Sequence, residues 1–223
     1  MAKIKNAKVK ESSGGYIRLF GNPALGLLFS KAHSTVISSG VELEKLILSI
    51  VKQIEDLDVF LDLEIMPEGV LVASKKTIKT SMKIDFAGSE PDFMIFKRRN
   101  NKQHCSIVEL KDGHTFDTKK AAGERDSMHS FIRNNAQYLP YTVSSHFCAF
   151  NQEDRLSIQR GFKHKITIDE CLTGREFCDL LEIDYEGIIA SRKKDQKDNL
   201  TYFLLELLKI REIKEFFVRQ LHS

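Results

Sequence analysis

The sequence predicts an α/β fold, a central mixed β-sheet flanked by helices, with additional helices toward the C-terminus. Three observations carry that expectation. Short β-branched and aromatic runs follow one another between about residue 59 and residue 151. A segment of helical period precedes them, and a second separates the last run from the others. Beyond residue 165 the apolar pattern is helical throughout. Helix, strands, helix, strand is the order of a mixed sheet with helices on its faces.

With 223 residues, 42% hydrophobic and 29% charged, the chain is expected to be a soluble globular protein with a sizeable core. The expected division is a core over residues 1–165, with a flexible N-terminal arm, and a helical extension over 166–223 packed on the same domain. The net charge of +3 permits a nucleic-acid partner without requiring one. Cys105, Cys148, Cys171 and Cys178 form no CxxC pair, and the seven histidines show no zinc-ligand spacing, which argues against a structural zinc. The polar start "MAKIKNAKVKESSGG" lacks the apolar stretch of a signal peptide. No apolar run approaches the ~18 residues of a membrane span. A reduced, cytoplasmic protein is the expectation.

Taken in order, the first helix is expected near residue 39, where Ser39-Gly40-Val41-Glu42 has the form of a capping box. Leu43, Ile47, Ile50, Val51 and Ile54 then mark its buried stripe. "GVLVAS", "MKIDFA", "DFMIFK", "CSIVEL" and "TVSSHFCAF" read as strands, and "KRRNNKQ" as a hairpin loop carrying Asn-Asn. "TKKAAGERDSMHSFIRNNAQYL" reads as a helix that Gly123 weakens. In "TGREFCDLLEI", Thr173 and Glu176 have capping-box spacing. The charge run "RKKDQKD" precedes an apolar-periodic helix from Leu200 to Leu221.

The chemistry concentrates in "CSIVELKDG". Glu109 and Lys111 are two apart, so on a strand they point to the same face. Alone they read equally as an exposed ion pair worth at most ~1 kcal/mol. Across the hairpin, however, "GSEPDFMIF" opens with Pro91-Asp92, and pairing of the two strands brings Asp92 toward Glu109. Glu90 and Asp85 are the other acids near that position. Two carboxylates held together attract a divalent cation, and an oxygen-only pair suits Mg²⁺ or Mn²⁺ better than zinc. A lysine beside them orients or activates water and offsets charge on a phosphate, which is equipment for phosphodiester hydrolysis. A carboxylate pair alone would also suit glycoside hydrolysis, but the lysine and the basic surroundings favour phosphate.

"PD" followed by "ELK" across a hairpin, with sixteen residues between Asp92 and Glu109, resembles the PD-(D/E)xK nuclease superfamily, and the compact chain resembles a type II restriction endonuclease. The resemblance covers about residues 36–150. It implies a restriction-endonuclease-like core, Asp92 and Glu109 as metal ligands, Lys111 as the catalytic lysine, and Mg²⁺ as cofactor with Mn²⁺ as a substitute. It also implies a glutamate on the helix before the sheet, which Glu44 in "SSGVELEKLI" fits better than Glu42. The implied partners are double-stranded DNA and a second copy of the chain in a homodimer, with a cognate DNA methyltransferase in the same system. Lys119, Lys120, Arg125, His129 and Arg133 follow the motif on the expected helix. They read either as DNA contacts or as a solvated face in which Lys120 pairs with Glu124. Lys75, Lys76, Lys79 and Lys83 form a second basic region with the same two readings. The alternatives are a structure-specific repair, recombination or defence nuclease of the same fold, and a DNA-binding protein without hydrolytic activity.

Overall fold

The computed structural model describes residues 2–9, 14–86, 90–113, 121–140 and 142–221. In chain order it contains α1 (Gly15–Phe20), α2 (Pro23–Leu48), α3 (Leu57–Leu61), β1 (Gly69–Ser74), α4 (Lys75–Thr80), β2 (Phe93–Arg99), β3 (Lys102–Lys111), α5 (Ala121–Asn134), β4 (Thr142–Ala149), α6 (Arg155–Gly161), β5 (Cys171–Thr173), α7 (Gly174–Leu181), α8 (Tyr185–Leu208) and α9 (Arg211–Leu221). The chain divides into two compact units, residues 44–185 and residues 1–43 with 186–223.

The larger unit holds the sheet, in the order β1-β2-β3-β4-β5. β1, β2 and β3 pair antiparallel, and β3, β4 and β5 pair parallel, so the sheet is mixed as expected. The hairpin between β2 and β3 turns at Asn100 and Asn101, whose φ values of 50° and 60° are those of a two-residue turn matched to strand twist. Asparagine tolerates this left-handed region better than most residues. Alternation then sorts the faces. Met94, Phe96, Cys105, Ile107, Phe147 and Ala149 lie in one core cluster with Met128 and Phe131 of α5. Aromatic burial dominates: Phe93, Phe96, Phe131, Phe147, Phe150, Phe162 and Phe177 are all essentially inaccessible. Each contributes roughly 1.5–3 kcal/mol relative to an exposed ring.

Several local expectations differ from the structure. The first helix of the expected pair begins at Pro23 instead of residue 39, and Asn22 caps it by accepting from the Leu25 N–H at 2.9 Å. Ser39 lies inside it and donates its hydroxyl to the Val36 carbonyl. A serine within a helix bonds back in this way, so its spacing to Glu42 is no cap. The helix ends at Leu48, and of the expected stripe Ile47 and Ile54 are buried whereas Ile50 is exposed.

The described part of "MKIDFA" is irregular, because side chains take the N–H groups a strand needs. Asp58 accepts from Met82 and Lys83, Ser81 from Ile84, and Asn135 from Asp85. Finally, residues 166–185, read from the sequence as the start of a helical extension, carry β5 and α7 in the sheet unit. Thr173 caps α7 in the expected reciprocal box with Glu176.

In the smaller unit, Lys3 and Ile4, at the start of the segment read as a loose arm, are held. Ile4 is buried, its N–H donates to Asn199 at 2.9 Å, and Lys3 pairs with Asp195 and Asp198. The expected C-terminal helix is two helices, α8 and α9.

Candidate active site

Asp92 directly precedes β2, and its N–H donates at 3.1 Å to the carbonyl of Val108, the residue that Phe93 already pairs with, so the strand entry is offset from the regular ladder. This places Asp92 beside the end of β3, close enough for its charge to act on Glu109 and Lys111. Neighbouring Pro91 is buried and fixes the entry to the strand. Only 5% of the Asp92 side chain is exposed. Its Oδ2 accepts from the Leu110 N–H at 2.9 Å, and its Oδ1 accepts from the Lys75 ammonium at 3.0 Å. Lys111 donates to Oε1 of Glu109, whose side chain is 16% exposed.

The electrostatics follow from this crowding. Burial, and then the charge of Asp92, push the Glu109 carboxyl up to about 7, although Lys111 and Lys75 work in the opposite direction. Glu44, half-buried near the end of α2, is also raised, first by burial and then by Asp92, with Lys75 and Lys111 opposing. Burial works against the charge of Lys111, but Glu109, Asp92 and Glu124 together raise its pKa, so it stays an ammonium. Lys75 behaves in the same way: burial opposes, while Asp92, Glu109 and Glu44 raise it. Three carboxylates and two ammoniums thus share one end of the sheet.

The structure brings together Asp92, Glu109, Lys111 and Glu44, and holds Glu90 and Asp85 in other contacts. Glu90 is exposed and pairs with Lys79 at 2.6 Å, and Asp85 is tied to Asn134 and Asn135. Lys119 and Lys120 lie outside the described residues. Arg125 and His129 bind Glu170: the Arg125 Nε reaches both carboxylate oxygens at 3.1 Å, and the His129 Nε2 lies 2.8 Å from Oε1. Arg133 is exposed at the end of α5 and donates to Ser130.

The sequence alone puts Lys75 in a basic region and not in the site. The signal that finds it is register. Ala73 pairs with Met94, so the end of β1 lies beside the start of β2, where Asp92 stands.

Among the described residues no group of three or more His, Cys, Asp or Glu side chains gathers to hold a metal. What is gathered is a carboxylate pair with hard oxygen donors. That set fits Mg²⁺, which uses one or two carboxylates and keeps waters and substrate phosphate for its remaining positions. An acid held near 7 beside a second carboxylate is a place where added positive charge is favourable.

A mixed five-stranded sheet flanked by helices, with acids and lysines gathered at one end, is a restriction-endonuclease-like α/β fold. Over 222 residues, 96% of this chain and 97% of the relative, the sequence is 39% identical to the type II restriction enzyme HhaII of Haemophilus parahaemolyticus. The chain belongs to that type II restriction enzyme family. No protein-family model matches it, and no solved structure matches it.

Proposed function

We propose that the chain is a Mg²⁺-dependent endonuclease that hydrolyses phosphodiester bonds at a specific sequence in double-stranded DNA, with its site built on the PD-(D/E)xK plan. The observation that carries this reading is the convergence of Asp92, Glu109 and Lys111 where the start of β2 meets the end of β3. The kinship with a type II restriction enzyme supports both the substrate and the sequence specificity.

Asp92 and Glu109 would hold the cation, which when bound would supply a Lewis acid for the phosphate. Lys111, kept protonated and anchored by Glu109, acts as a cation and donor and not as a base. It orients the attacking water and offsets the charge that develops on the phosphate oxygens, an effect strengthened where water is sparse. Glu44 is the accessory acid, near enough for its charge to be felt by Asp92, Lys75 and Lys111. DNA contacts come from the basic residues after the motif, Lys119, Lys120 and Arg133, while Arg125 and His129 also brace α5 through Glu170.

A homodimer matches a palindromic target with a two-fold protein. The exposed apolar side chains Leu204 and Leu208 of α8 and Phe217 and Leu221 of α9 support such a contact. The protein acts in the cytoplasm, where a cognate DNA methyltransferase protects the host's own sites. No helix among the described residues is long and apolar enough to cross a membrane.

Incubation of plasmid with the protein and Mg²⁺, beside an EDTA control, tests the reading. Discrete fragments that vanish with EDTA are expected. A metal-dependent smear or junction-directed cutting would instead indicate a nuclease that reads structure, and no cleavage of any nucleic acid would reject an enzyme.

A further inference from the structure

The oxygens of a side chain as buried as Asp92 need partners within the protein, and it has two. One is the backbone N–H of Leu110 on Oδ2, a fixed part of β3. The other is the ammonium of Lys75 on Oδ1 at 3.0 Å. Lys75 is the first residue of α4, where Ser74 caps the helix by accepting from the Thr77 N–H. Its backbone is therefore fixed, while its side chain remains 39% exposed and borders solvent. Unlike Lys111, which bonds its neighbour on the same strand, Lys75 reaches Asp92 from a different element and lies outside the motif that points to the site.

We propose that Lys75 is a resident counter-cation, occupying in the metal-free protein the Asp92 oxygen that a divalent cation takes and leaving it when the cation arrives. The inference rests on the metal-dependent reading of the site. Its physical basis is that an ammonium in contact with Oδ1 and a divalent ion on the same oxygen would repel at contact distance in a poorly hydrated place, where such repulsion is least screened. Occupancy by the lysine holds the Asp92 carboxylate aimed before any cation binds, at the cost of weaker cation binding. Lys75 is thus a positioning residue whose removal has opposite effects on two properties. Without it the free protein loses stability, because Asp92 is left with one partner, and the cation binds more tightly.

The test is a calorimetric titration of Mn²⁺ into the wild type and the Lys75→Met, Lys75→Gln, Lys75→Arg and Asp92→Asn variants, without DNA. Circular dichroism establishes that each is folded. Lys75→Met and Lys75→Gln should each bind Mn²⁺ about tenfold more tightly than the wild type, and Lys75→Arg, which keeps the charge, should stay within about twofold, as a coupling of ordinary size requires. Lys75→Gln keeps a donor for Oδ1 and serves if the methionine variant does not fold. Asp92→Asn should lose the binding. If Asp92→Asn loses Mn²⁺ while the neutral variants bind no more tightly than the wild type, the counter-cation proposal fails alone. If Asp92→Asn binds Mn²⁺ as the wild type does, the metal reading itself fails and the proposal with it.

Discussion

At the scale of single residues, burial opposes the charge of two of the site's acids, Glu109 and Glu44. Glu109 has its pKa raised from the ordinary 4.5 to about 7 in the folded chain. An acid raised on folding contributes stability that is full below pH 4.5 and is lost as pH rises through about 7. At pH values above 7, ionised Glu109 is therefore a cost of roughly 1–3 kcal/mol, reduced somewhat by the partial exposure of the side chain. Glu109→Gln should raise the denaturation midpoint at alkaline pH in metal-free buffer and lose that advantage near pH 4. A midpoint that falls equally at both pH values would contradict this. Glu109 and Lys111 were legible from their spacing, since alternation along a strand is rigid, and Asp92 from the proline that fixes its entry. Lys75 was not, because its contact with Asp92 depends on the pairing of β1 with β2.

Elements are shaped as much by side chains that capture backbone groups as by propensity. Residues 82–86 have strand composition yet form no strand, since Asp58, Ser81 and Asn135 accept their N–H groups. Asn135, fully buried, accepts from the Asp85 N–H and donates to the carbonyls of Asp85 and Phe131. Asn135→Ala should cost about 2–4 kcal/mol in urea unfolding, because buried backbone groups lose their partners. A cost below a few tenths would show that water replaces the side chain.

Gly174, at the start of α7, has room for nothing larger: a Cβ there would meet the Phe150 carbonyl oxygen at 2.2 Å. Gly174→Ala should destabilise by about 1–3 kcal/mol through forced separation of α7 from the end of β4. The capping box of Thr173 and the Asn-Asn hairpin were readable because both are local. Ser39 misled because the same four-residue spacing occurs inside a helix, while the real start, Asn22 before Pro23, carries a better signature.

For the whole molecule, the mixed sheet was legible from the order of periodic segments, because strand and helix periods differ so clearly. The partition into two units was not. It depends on contacts between distant segments, such as Ile4 with Asn199, that no window of sequence contains. The proposed dimer has a direct check. Light scattering at micromolar concentration should give twice the chain mass, and the Leu204→Arg/Leu208→Arg double variant should give a folded monomer. A monomeric wild type would remove the two-fold arrangement from the account.

The central claim is that Asp92, Glu109 and Lys111 form one metal-dependent hydrolytic centre. Single-turnover cleavage of a plasmid carrying the target site, with Mg²⁺, tests it most directly when the wild type is compared with folded Asp92→Asn, Glu109→Gln and Lys111→Ala. Loss of an electrostatic or acid–base contributor typically costs about 10²–10⁴-fold, so each variant should cut at least about a hundredfold more slowly while retaining its fold. Cleavage at the wild-type rate by Lys111→Ala, or by either carboxylate variant, would place the chemistry elsewhere.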